Sequence, residues 1–270
     1  MAAEDSAESK KSDPTTAAGD LPRRKDGFRE RGGAVTRAEA FVDAAFAFAV
    51  TLLVIRESSE IPNVAALTQS LLQIPAFATS FALVCLIWFS HHTWSRRYGL
   101  DDTGSVVRSL FLVFLLLIWI FPLHLMFKSG FAWLSQMIFP AGSTWRIPFT
   151  FRLERGEAAA DMRDLFVIYG FAWSSISLLI AGLYKRAWKQ RDLLDLDLNE
   201  RVVTRGEIAI WHFAALVGGL SIGVAVLVNP TGVEWLYGAP GMVYFLMCFS
   251  ALVSHLAEKR ARAQLGGPTP

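Results

Sequence analysis

The chain has 270 residues, a formal net charge of +2, 53% hydrophobic and 19% charged side chains. A soluble domain carries about a quarter charged residues, and here the charges gather between long apolar runs, which argues against a soluble globule and against a nucleic-acid binder with one basic stripe. Cys85 and Cys248 both fall inside apolar runs, which argues against a disulfide framework.

Residues 1–33 are rich in Ala, Ser, Asp, Lys and Gly, with almost no large apolar side chains. Such a stretch buries too little surface to offset its ordering entropy, so a disordered cytoplasmic tail is predicted. No apolar core or small-residue cleavage site follows Arg23-Arg24-Lys25 as in a cleaved signal peptide, so the first apolar run reads as an uncleaved signal anchor. Six spans follow, each near the roughly 20 apolar residues that cross a bilayer. They cover 38–55, 71–92, 106–127, 165–184, 208–228 and 235–256. A short helix after Pro62 is expected before the second span. Pro122 lies inside the third, and Gly218, Gly219 and Gly223 inside the fifth, where neighbouring helices satisfy freed backbone groups. The fold class is thus all-α membrane protein, with one six-helix domain over 34–257 and a cytoplasmic tail over 258–270. In the external stretch 129–163, the apolar piece 131–139 is too short to span. It reads as a continuation of the third helix in preference to a re-entrant segment.

Orientation follows from the basic residues. Twenty of the 26 Lys and Arg lie in the N-terminal stretch through Arg37, around Arg96, Arg97 and Arg108, between the fourth and fifth spans, and in the C-terminal tail. Arg56, Lys128, Arg146, Arg152, Arg155 and Arg163 lie on the other flanks. Basic flanks stay in the cytoplasm, which puts both termini inside a bacterial inner (plasma) membrane. Trp94, Tyr98, Trp188, Trp235 and Tyr237 sit near span ends, as interfacial aromatics do.

The first span is unusual. To cross, it must carry Arg37, Glu39 and Asp43 toward the membrane, and a charge at the bilayer centre costs at least about 2.5–3.5 kcal/mol unless it is paired or faces water. At about 100° per residue, Phe41, Ala44, Ala45, Phe48, Thr51, Leu52 and Ile55 share one stripe, while Glu39 and Asp43 share the opposite face. The second span ends Trp88-Phe-Ser-His-His-Thr-Trp94 at the same level. Histidine and tryptophan N–H groups are natural donors to a buried carboxylate. A polar cluster of Arg37, Asp43, Trp88 and His91 or His92 is therefore expected. Adjacent histidines lack the spacing and third ligand of a metal site, so structural pairing is preferred to metal binding.

The stretch Arg37-x-x-x-Phe41-Val42-Asp43, followed by Phe46-Ala-Phe-Ala-Val-Thr-Leu-Leu-Val54, resembles the first helix of the lysosomal potassium channel family, transmembrane protein 175, in its prokaryotic single-repeat branch. The Trp88-x-x-His91-His92 ending is similar to that family's second helix. These motifs cover about residues 36–98. The resemblance implies a non-enzymatic, potassium-permeable cation channel, without catalytic residues, metal or cofactor, whose cargo is the permeating potassium ion or another monovalent cation. It implies a homotetramer in the bilayer with the first helix around a central pore. By position after the signature Asp, it implies that Phe48 forms the narrowest hydrophobic ring, continued by Leu52 and Ile55, and that Thr51 is the threonine layer associated with selectivity. It also implies that Arg37, Asp43, Trp88, His91 and His92 form the network behind the pore helix.

The chain departs from the family pattern where Val42 replaces a Ser and Phe48 a smaller aliphatic residue. No Thr-Val-Gly-Tyr-Gly filter is present, so selection by a ring of carbonyls is not available. A membrane enzyme is disfavoured because His91, His92, His124, His212 and His255 are scattered without a repeated motif, and two other functional classes fit the bare residues. One is a coupled secondary transporter using Asp43, Glu39 or Glu207 with His124 or His212, although no repeat symmetry supports it. The other is a non-conducting assembly protein, in which the glycines of the fifth span serve only close packing.

Overall fold

The computed structural model describes residues 21–57, 63–147, 158–228 and 238–266. Helix α1 is Arg37–Glu57, α2 Val64–Leu72, α3 Ile74–Tyr98, α4 Thr103–Ile138, α5 Ala158–Lys189 and α6 Leu198–Val228. The last span joins a single turn, α7 (Ala239–Met242), a tighter 3-10 segment, Val243–Phe249, and α8 (Ser250–Leu265). Among the described residues, six stretches are long and apolar enough to cross a membrane: Arg37–Ile55, Ile74–Tyr98, Thr103–Ile138, Ala160–Lys189, Leu198–Val228 and Ala239–Leu265. The short helix after Pro62 is α2. The expected start of the last span, with Trp235 and Tyr237, lies outside the described residues.

Local chemistry sets the helix ends. Thr36 Oγ1 accepts from the Glu39 amide at 3.1 Å and starts α1. Helix α3 closes on Gly99, whose φ of 58° is left-handed and whose N–H returns to the Ser95 carbonyl. Asp102 opens α4 by accepting from the Gly104 amide and the Ser105 hydroxyl. Asp197 and Glu200 open α6 as a reciprocal capping box, each side chain accepting from the other's backbone N–H.

Several helices run past the apolar windows. Helix α4 has 36 residues, or about 54 Å at 1.5 Å per residue, against a hydrocarbon core of roughly 30 Å. The piece 131–139 is therefore the end of α4, apart from its capping residue Phe139. The chain then folds back, with the Ile147 amide donating to Ser135 Oγ and the Arg146 guanidinium to the Gln136 carbonyl. Helices α5 and α6 likewise continue into charged sequence where hydropathy falls away. Residues 258–265, read as tail, are the end of α8.

Helices α5 and α6 form the closest pair. A Cβ on Gly218 would lie 2.3 Å from Ser174 Oγ and 2.9 Å from the Gly170 carbonyl. Trp173 Nε1 and Ser174 Oγ donate across the interface to the carbonyls of Ala214 and Ala215. Gly219 and Gly223 face open space, so only Gly218 of the glycine triplet serves this contact. Helix α1 sits at an edge of the bundle, packed chiefly on α3 and α4.

The tail needs correction. Residues 1–20 lie outside the described residues, but 21–33 are packed and not disordered. Phe28 is fully buried, edge-on to Tyr98, with the Arg97 guanidinium 4.5 Å from its ring centre. One aromatic plug and a set of ion pairs order a segment whose composition alone carries no such signal. Trp94 and Tyr98 are corrected as well. Both are buried in the core beneath this segment and do not face the interface.

Candidate functional site: the two faces of the first helix

Helix α1 separates its chemistry by face. Glu39, Val42, Phe46, Ala49 and Leu53 are buried against the bundle. Phe41, Phe48 and Ile55 are 59%, 54% and 60% exposed, with Ala44 and Thr51 on the same outward side. The expected stripe is therefore the uncovered one, except that Ala45 and Leu52 turn partly inward. Thr51 Oγ1 donates back to the Ala47 carbonyl at 3.1 Å. Its proton is committed to the helix, which leaves the oxygen lone pairs to face outward as acceptors.

The inner face is tied to α3. Trp88 Nε1 donates to Asp43 Oδ1 at 2.9 Å, and the Trp88 ring stacks on His92 at 5.2 Å between centres. Glu39 is buried with Arg96 Nε at 3.6 Å and His92 Nδ1 at 4.0 Å. Asp43, Trp88 and His92 thus come together as expected, joined by Glu39 and Arg96, which sequence reasoning left out of the cluster. His91 turns the other way and shares a 2.9 Å hydrogen bond with Ser109 on α4. Arg37 is exposed and forms no ion pair with any described residue. It precedes Asp43 by six residues, which rotates it about 120° around the helix. It lies instead four residues before Phe41, at the end of the outward stripe.

Behind this lies a second polar layer. Arg31 grips Glu200 through both guanidinium nitrogens, at 3.0 and 2.7 Å, and the Arg29 amide donates to the same carboxylate at 2.8 Å. Glu200 is fully buried. Arg97 bridges Asp26 and Glu207, and Tyr98 shares a hydrogen bond with Thr204. The Arg96 guanidinium and the Gly32 carbonyl, 2.6 Å apart, connect this layer to the residues just before α1. The Asp197-x-x-Glu200 spacing was a legible capping signal; its use as an anchor for residues 29–31 was not.

The groups weighed for a relay have separate structural partners. Glu207 is paired with Arg97. His124 Nδ1 is 3.0 Å from Ser80 Oγ, and His212 Nδ1 is 2.6 Å from the Ile208 carbonyl. Among the described residues, no three of His, Cys, Asp and Glu gather as a metal-ligand set.

Comparison with known proteins bears on this arrangement. The family described as endosomal/lysosomal potassium channel TMEM175 matches residues 37–122, from the start of α1 to Pro122 in α4. A potassium channel of Marivirga tractuosa is 32% identical over 241 residues, covering 88% of this chain and 94% of its own length. A crystal structure of a variant of the potassium channel MtTMEM175, in complex with a nanobody–MBP fusion protein, superposes with a TM-score of 0.69 at 29% identity. It covers 87% of this chain and 97% of that one. With six apolar helices and the two-faced first helix, this chain is an all-α, multi-pass membrane protein that belongs to the TMEM175 potassium channel family.

Proposed function

We propose that this chain is the subunit of a potassium-permeable cation channel, with four copies arranged so that the outward face of α1 lines a central pore. The observation that carries the reading is the sorting of α1. Glu39 and Asp43 are turned inward to partners, and the face left uncovered carries Phe41, Phe48, Thr51 and Ile55. An edge helix whose open side is apolar but bears one acceptor hydroxyl suits a narrow conduction path. In a pore, Phe48 forms the constriction, with Ile55 and the half-buried Leu52 extending it. Four phenylalanines at one level gate by excluding water, and Thr51 oxygens replace part of an ion's hydration shell. Asp43, Trp88 and His92 hold the helix against α3, while Arg37 and His91 act outside that bond set. The pore needs no cofactor and no catalytic group. The excess of basic residues at the Arg96–Arg97 end favours a plasma-membrane channel with both termini cytoplasmic.

The test is ion flux from liposomes holding the purified protein, with the oligomer mass measured in the same preparation. Phe48→Ala is expected to raise potassium flux several-fold in a tetramer of unchanged mass. Unchanged flux and permeability ratios in that variant would remove Phe48, and with it this face of α1, from the pathway.

A further inference from the structure

Outside the α1 site, the ends of α5, α6 and α8 line an open cavity of about 350 Å³. Lys185 from α5, Arg205 from α6 and Arg260 from α8 line it, together with His212 and Gln264. The remaining lining is Ile and Ala side chains, and no carboxylate contributes to it. Among the described residues, none of the three cations pairs with an acid. Arg205 instead lies over the Trp188 ring at 4.5 Å.

We propose that this cavity binds the phosphate of an anionic phospholipid. Three exposed cations from three helices line one cavity without a carboxylate among its lining, which makes it attractive to an anion. Their position selects the kind of anion. Lys185 is about one turn from the end of α5, and Arg205 and Arg260 about two turns or less from the ends of α6 and α8, so the cavity opens at the membrane boundary. Leu252 and Leu256, eight and four residues before Arg260 on the same stripe of α8, are exposed beside it. A free phosphate uses the cations and leaves the apolar wall wet. A phospholipid uses both, with its phosphate on Lys185, Arg205 and Arg260 and an acyl chain against the Ile208 and Ala257 side. Basic pockets between helices at the cytoplasmic boundary recognise anionic headgroups in this way. The site is remote in sequence from α1 and does not depend on conduction.

The test uses the full-length protein in detergent, its Lys185→Gln/Arg205→Gln/Arg260→Gln variant, and Lys259→Gln as a control at a neighbouring exposed cation. Thermal unfolding is followed with short-chain phosphatidylglycerol, short-chain phosphatidylcholine or inorganic phosphate, and co-purified lipid is read by native mass spectrometry. Phosphatidylglycerol is expected to raise the melting temperature of the parent and of Lys259→Gln, and to be retained by both. In the triple variant its affinity falls on the order of tenfold or more. Equal binding by the triple variant overturns the site. Equal stabilisation by phosphatidylcholine overturns the requirement for an anionic lipid, and equal stabilisation by inorganic phosphate overturns the lipid. Should the triple variant melt below the parent without lipid, Lys185→Gln/Arg260→Gln, which keeps the Arg205–Trp188 contact, decides on the same criteria.

Discussion

The Trp88 indole N–H donates to the Asp43 carboxylate across 2.9 Å, joining α1 to α3. This bond takes one of the two acids on the inner face of α1 out of the reach of lipid and leaves the outward face free of carboxylates. Trp88→Phe keeps most of the ring but removes the donor, so Asp43 loses its partner. Leaving a part-buried charged acceptor unsatisfied costs about 1–3 kcal/mol or more. The expected outcome is a lower melting temperature in detergent with weakened assembly or altered flux. Asp43→Ala removes both the acid and its tie, and is expected to damage assembly or gating. A Trp88→Phe protein that matches the parent in melting temperature and flux would show that the bond does not hold α1.

The same bond marks how much of the site was legible. Helical spacing alone placed Asp43 opposite Phe48, and the position of Trp88 at the end of the next span made it a natural donor. The partners of Glu39 were not legible, because Arg96 and His92 reach it through the angle between two helices, which no periodicity encodes. The exclusion of Arg37 follows from its six-residue offset from Asp43, a rotation easily overlooked when a motif is read as a unit. The six spans were legible because hydropathy reports membrane burial directly. Helix length was not, since α5 and α6 continue as helices into charged sequence where the hydropathy signal stops. The packed segment 21–33 stayed hidden for a related reason: its order comes from contacts with residues more than 60 positions away.

Glu200 is the residue on which that segment depends. It accepts from the Arg31 guanidinium, the Arg29 amide and the Asp197 amide. Glu200→Gln keeps the shape but discards the charge and turns an N–H group toward existing donors. Breaking one side of a buried ion pair costs about 3–5 kcal/mol, since the other charge stays buried; Arg31 is only 8% exposed here. The variant is expected to melt at a lower temperature and to be cut faster by trypsin at Arg23, Arg24, Lys25, Arg29 and Arg31. Parent-like resistance to trypsin would show that the segment is held by Phe28 and not by Glu200.

The α5–α6 contact separates two adjacent glycines. Gly218→Ala places a methyl 2.9 Å from the Gly170 carbonyl, a backbone atom that cannot swing aside. Overpacking of this kind costs about 1–3 kcal/mol, so a lower melting temperature is expected. Gly219→Ala meets open space, and its higher helix propensity is worth up to about 1 kcal/mol. It is expected to melt at or above the parent temperature. Equal effects of the two changes in a thermal melt would contradict the close approach at Gly218.

Acid sensitivity should trace in part to Asp102, between α3 and α4. Burial pushes its carboxyl up, but hydrogen bonds from Arg186, Ser105 and the Gly104 amide, with the Arg186 charge, outweigh this and hold it at about 2. An unfolded aspartate titrates near 3.9. The unfolded chain therefore binds this proton first, so Asp102 contributes its full stability above about pH 4 and loses it as pH falls toward 2. Asp197 follows the same sign. Burial raises it, and the Glu200 amide and Arg23 lower it further than burial raises it. Thermal melts of the parent between pH 7 and 2.5 are thus expected to be level down to about pH 5 and to fall below about pH 4. Asp102→Asn should melt lower than the parent at neutral pH, with the gap between them narrowing below about pH 3, because the parent then loses the charge that the variant already lacks. A gap that stays constant across this range would mean that the Asp102–Arg186 pair contributes through its shape alone.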